Sequence, residues 1–106
     1  MPSYRVRANV GLLRPGTSAP DLLPDAVAFA RTLVTVEACD VEVVRGRARV
    51  TVRYQADDDP SARRAGWAIL HRLDELAEID GRQLTRRFGN RWYPVRPDRA
   101  PLTRGR

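Results

Sequence analysis

The chain has no lysine, one cysteine, one histidine and one methionine among its 106 residues. The single thiol, Cys39, excludes an internal disulfide and any multi-cysteine metal site, and it fits a reducing compartment. Hydrophobic runs are short. None approaches the ~18 residues of a membrane span, and MPSYRVRANV has no apolar stretch behind its charges of the kind a secretory leader needs. A cytoplasmic location without a membrane partner is therefore expected. The lone histidine, His71, has Asp74 and Glu75 one turn later, too few neighbours for zinc, which takes three or four protein ligands. Glycines occur singly, with neither a GxGxxG fingerprint nor a P-loop, so no phosphate cradle is expected. Neither a cofactor nor a metal is expected, and no catalytic set points to an enzyme.

All 19 basic side chains are arginine, and the formal net charge is +6. Alanine, glycine and proline abound while asparagine, isoleucine and phenylalanine are scarce. That bias follows G+C-rich codons, which put arginine where other chains use lysine whatever the role. Total charge is thus weaker evidence for a nucleic-acid partner than its size suggests, and position along the chain is more informative. Segments 1–20, 45–56 and 81–106 are net positive; segments 21–44 and 57–80 are net negative.

The length suits one compact domain, since chains divide into separate cores only well beyond ~200 residues. Tyr4 to Leu12 alternates, with Tyr4, Val6, Ala8, Val10 and Leu12 on one side, as a half-buried strand does. Arg14 to Pro24 carries three prolines and a glycine and reads as a loop with room for one helical turn. A helix is expected from Pro24 or Asp25, with Leu23, Val27, Ala30 and Val34 inward. Alternation returns from Cys39 to Val44, turns at Arg45-Gly46, and resumes from Arg47 to Tyr54, which predicts a hairpin with Cys39 on the inward side. Asp57-Asp58-Asp59-Pro60 supplies an acidic cap and an early proline for a second helix. Its inward face is Ala62, Ala65, Gly66, Ile69, Leu73 and Leu76, with Asp80-Gly81 as its end. A strand from Arg82 to Phe88, a turn at Gly89-Asn90 and a short returning arm from Arg91 to Val95 complete the chain.

That order, βαββαβ, predicts a ferredoxin-like α+β fold, with two helices on one face of a four-stranded antiparallel sheet and a C-terminal hairpin arm. The expected organisation is a single α+β domain over 1–96 and an Arg/Pro-rich flexible tail over 97–106. Positive charge then gathers on an open sheet face carrying Arg5, Arg7, Arg47, Arg49, Arg53 and Arg87, opposite an acidic helical face.

The hairpin entry RGRARVTV, Arg45 to Val52, resembles the RNP1 pattern of the RNA-recognition motif in its Arg-Gly, its alanine and its valine. The three aromatic positions do not match; Arg47 and Arg49 stand where that motif has base-stacking rings, and guanidinium planes also stack on bases. The likeness covers eight residues and assigns no family. Near the end, Phe88, Trp92 and Tyr93 interleave with arginines. Phe88 is expected to close the end of the core, facing Trp92 across the arm if Trp92 is the inward one. Only one of the adjacent Trp92 and Tyr93 can point inward, the other being an interface candidate, and the candidate contact residues there are Arg91, Trp92 and Tyr93.

The leading expectation is a small non-enzymatic scaffold or regulatory domain that forms a homodimer or higher oligomer through its open sheet face. The alternative is a nucleic-acid-binding domain, for RNA or DNA, that uses the basic face and the arm. An enzymatic reading rests on fold analogy alone.

Overall fold

Alternation is strictest in the first and third strands, and these lie inside the sheet. A computed structural model describes residues 1–96; the tail expected over 97–106 lies outside the described residues. The chain runs β1 (Ser3–Leu13), α1 (Ala19–Arg31), β2 (Thr35–Val44), β3 (Arg47–Gln55), α2 (Asp59–Leu76), β4 (Ala77–Phe88) and β5 (Arg91–Pro94). The fold is α+β. Five antiparallel strands form one sheet in the order β2-β3-β1-β4-β5. The four-membered row expected from the sequence gains a fifth member because the arm pairs with β4, from Thr85↔Pro94 to Phe88↔Arg91.

One core joins both helices to one face of the sheet: Tyr4, Val6, Ala8, Val50, Val52, Tyr54 and Leu84 pack with Leu22, Ala26 and Ala30 of α1 and with Ile69, Leu70 and Leu73 of α2. Two buried tyrosines tie the sheet to α2. The Tyr54 hydroxyl donates to the Ala62 carbonyl at 2.7 Å and the Tyr4 hydroxyl to Asp59 at 2.6 Å. Burial, reinforced by Asp59, pushes the Tyr4 phenol up to about 12. Asp58 caps α2 as its acidic start predicts, accepting from the Ser61 N–H at 2.9 Å.

Several boundaries differ from the sequence reading. Helix α1 begins at Ala19, inside the stretch read as a loop. Pro20 falls in its first turn, where no N–H is needed, and Pro24 is accommodated one turn later with the loss of a single bond. Leu12 is 74% exposed rather than inward. An extra residue in β1 between Val10 and Leu13 shifts the alternation, so Leu13 takes the inward side. Strand β2 starts at Thr35, and Cys39 is exposed together with Val41 and Val43. These three share the core-facing side of Val52, Val50 and Ala48 by register, but they lie on the edge strand, whose buried packing is confined to Val36 near its start.

Asp80-Gly81 does not end α2. The helix stops at Leu76 and β4 follows directly; Asp80 pairs with Asn9 within that strand, and Gly81, at φ +61°, opens a bulge with Arg82. Phe88 is 53% exposed and meets Tyr93 edge-on at 5.7 Å, not Trp92, since the register sets Phe88 against Arg91 and Arg87 against Trp92. The acidic helical face is also largely neutralised. Arg72 bridges Asp25 and Glu75, Arg14 pairs with Asp74, and Arg86 pairs with Asp59. No helix among the described residues is long and apolar enough to cross a membrane.

Candidate nucleic-acid interface

Because side chains alternate along a strand, the residues between the core positions of β1 and β3 project from the opposite face of the sheet. Register then arranges them in rows across neighbouring strands. One row runs Asp40, Thr51, Arg7, Gln83; the next runs Ala38, Arg53, Arg5, Thr85, Pro94. A third sets Glu42, Arg49, Asn9 and Asp80 side by side. Of the nine candidate residues, Arg5, Arg7, Arg47, Arg49, Arg53, Arg87 and Trp92 share this open face. Arg91 and Tyr93 fall on the other side, in register with Phe88 and Arg86.

Three of the arginines are neutralised. Arg49 pairs with Glu42, Arg53 with Glu37 at 2.9 Å, and Arg47 grips both oxygens of Asp80 at 3.1 and 2.8 Å. Each acid responds. The Arg49 bond holds Glu42 below the usual carboxylate range, and Arg47 followed by Asn9 does the same for Asp80. Burial works against ionisation of Glu37, but bonds from Gln55, Ser3 and Arg53 outweigh it and keep its pKa low.

Arg5 and Arg7 differ. Neither makes an ion pair among the described residues; Arg7 donates from Nε to Thr51 at 3.2 Å, and the Arg5 Nε is buried with no hydrogen-bond partner. Partial burial, and then neighbouring guanidiniums, lower the pKa of both, Arg7 and Arg49 acting on Arg5 and Arg49 acting on Arg7. Arginine remains charged under such pressure. Two crowded, under-solvated cations therefore occupy the middle of the sheet, and an anion placed over them relieves their repulsion. Beside them, the Arg5 guanidinium sits 4.4 Å from the centre of the Trp92 ring. Trp92 is half-buried, and it also lines a cleft of about 430 Å³ at the outer edge of β4. Arg87 reaches the Gly89 carbonyl at 2.8 Å and stays exposed.

Other candidates contribute no chemistry. His71 is exposed on α2, and the ion pairs around it are made by Arg72 and Arg14. No cluster of three or more potential metal ligands exists among the described residues. The sequence reading missed Trp67, Arg64 and Arg82. Trp67 is 46% exposed on α2 and lines the same cleft as Trp92 and Arg82. A signal was available, since Arg63, Arg64 and Trp67 all fall outside the helix's inward stripe at helical spacing.

Comparison with known proteins finds no matching family model, no matching curated protein and no matching solved structure.

Proposed function

We propose that this chain is a small non-enzymatic binding domain of ferredoxin-like arrangement that holds single-stranded nucleic acid on its open sheet face. The observation that carries this reading is the Arg5–Arg7 pair, central, unpaired with any acid among the described residues, and adjoining Trp92. Phosphates match crowded guanidiniums, and an aromatic ring beside them offers a base a stacking surface without reading sequence. A flat sheet face has no protruding helix to enter a duplex groove, so a splayed single strand fits better than a duplex.

The oligomer expected from the sequence finds less support on this face, whose apolar members, Leu12, Ala38, Val44, Trp92 and Pro94, are scattered among polar residues. Its better support is the outer edge of β2, where Val41 and Val43 are 43% and 74% exposed. Symmetric antiparallel pairing of two such edges about Val41 sets Asp40 against Glu42. Pairing about Asp40 or Glu42 sets an acid against itself, and like charges directly opposite destabilise a sheet.

Anisotropy of a labelled oligothymidylate, titrated at two salt concentrations, tests the binding reading. Binding at low salt that weakens with added salt is expected, with the log–log slope losing about 0.7 for each of Arg5→Ala and Arg7→Ala. Absence of binding to any single strand at low salt overturns it. Light scattering of the same sample reports the assembly state independently.

A further inference from the structure

We propose that a bound strand does not end at Trp92 but passes around the β4 edge onto α2, where Trp67 is a second stacking platform flanked by Arg64. This path rests on the nucleic-acid reading above and adds to it a second contact region on the helical layer.

The short fifth strand opens the way. β5 pairs with β4 only from Thr85 to Phe88. Val95 still bonds the Leu84 carbonyl and the Arg96 carbonyl accepts from Arg63, and among the described residues no strand lies beside β4 before Leu84. The cleft of about 430 Å³ lies at this gap, with Trp92 and Trp67 both in its wall together with Arg82 and Gln83. Arg82 is half-exposed and only 3.9 Å from Asp74, and the Thr85 hydroxyl already donates to the Arg5 carbonyl. That volume is within the ~300–1,000 Å³ range of sites that take small ligands, enough for a base-sized group. On the far side of Trp67, a second recess of about 250 Å³ is lined by Pro60, Arg63, Arg64 and Trp67. Arg64 bonds Ser61 Oγ at 3.1 Å, and, after the bonds from Ser61, its charge helps hold the nearby Asp58 carboxyl low without a direct contact. Cation, ring, cleft, ring and cation thus follow one another from Arg5 to Arg64. Alternating charge and aromatic surface is how proteins retain single strands regardless of sequence.

An added peptide strand is the competing occupant, and the geometry disfavours it. The Leu84 carbonyl, which a pairing peptide would need, already accepts the Val95 N–H at 3.0 Å.

The chain has two tryptophans, and they stand in the two regions to be distinguished. Trp67→Phe leaves Trp92 as the sole indole reporter; Trp92→Phe leaves Trp67. A thymidine trinucleotide should quench Trp92 and leave Trp67 nearly unchanged, whereas a dodecanucleotide should quench both. Trp67→Ala should weaken the dodecanucleotide about tenfold while leaving the trinucleotide unaffected, and Arg64→Ala should flatten the salt dependence for the longer strand alone. Quenching of Trp92 but not Trp67 by the dodecanucleotide overturns the path and leaves the open-face reading standing. Quenching of Trp67 alone, or of neither ring, overturns the open-face reading and the path together.

Discussion

On the β2–β3 half of the open face, arginines meet acids: Arg49 has Glu42, Arg53 has Glu37, and Arg47 reaches across to Asp80. On β1, a single strand away, the immediate cross-strand neighbours of Arg5 and Arg7 are Thr51, Arg53, Gln83 and Thr85, none of them acidic, while Asp40 stands one strand further along the Arg7 row and Glu42 acts on both only without contact. The first group is electrostatically closed, and a phosphate would have to displace a carboxylate to use it. The second is open, and each cation gains by acquiring a counter-ion. Arginine content is similar in the two halves, so what separates them is the identity of the cross-strand neighbour. A basic isoelectric point would have weighted both equally.

The sharpest way to break this contrast is to reverse the open pair. Arg5→Glu with Arg7→Glu should lower oligothymidylate affinity on the order of a hundredfold at low salt. The melting temperature should not fall, because both side chains point away from the core. Next in size is Trp92→Ala, with roughly tenfold weaker binding from the lost stacking surface. Its stability loss should be about 1 kcal/mol, below the ~3–5 kcal/mol typical of a fully buried ring, because Trp92 is only half-buried. Chemical denaturation measures that cost directly.

Opening the closed half should sharpen the contrast in the other direction. Glu42→Gln releases Arg49, and affinity should rise about threefold with the salt slope steeper by about 0.7. Acid achieves the same without mutation. Glu37, Glu42 and Asp80 all titrate below their ordinary values, so the stability they contribute is present above the usual carboxylate pKa and is lost as pH falls through their lower folded values. Over that window oligothymidylate binding should strengthen, since thymine does not protonate there, while the melting temperature declines. The smallest effect belongs to Arg49→Ala with Arg53→Ala, which should change affinity less than twofold. A loss matching that of the Arg5/Arg7 variant would erase the distinction between the halves.

Much of this architecture was legible in the sequence because it depends on local pattern. The alternation of β1 and β3, the Arg45-Gly46 turn with both residues at positive φ, and the Asp58 cap each follow from a few adjacent residues. Helix α1 was misread at its start because three prolines outweighed the apolar spacing of Leu22, Ala26 and Ala30, although a proline in the first turn costs nothing. The arginines of the open face were legible for the same reason the strands were. Their sorting into paired and unpaired was not, since Arg47 and Asp80 are 33 residues apart and meet only through the register of three strands. Exposure along β2 was equally hidden. Alternation marks which side of a strand a residue is on, not whether a helix lies over it.

The bulge in β4 behaves like a frameshift in the sheet. Ile79 and Leu84 both turn toward the helices although one is odd-numbered and the other even, because Gly81 and Arg82 together oppose Ala8 and advance the count by one. Everything distal to that point, from Gln83 under Arg7 to the stretch of β4 that pairs with Trp92, is read in the shifted frame. Removing Gly81 would restore strict alternation and at the same time exchange the two faces of the rest of the strand, turning Leu84 to solvent and Gln83 and Thr85 into the core. Spacing through this segment is therefore under tighter constraint than side-chain identity: substitution of Gln83 or Thr85 should leave the strand in place, whereas a single-residue insertion or deletion between Asp80 and Leu84 should not.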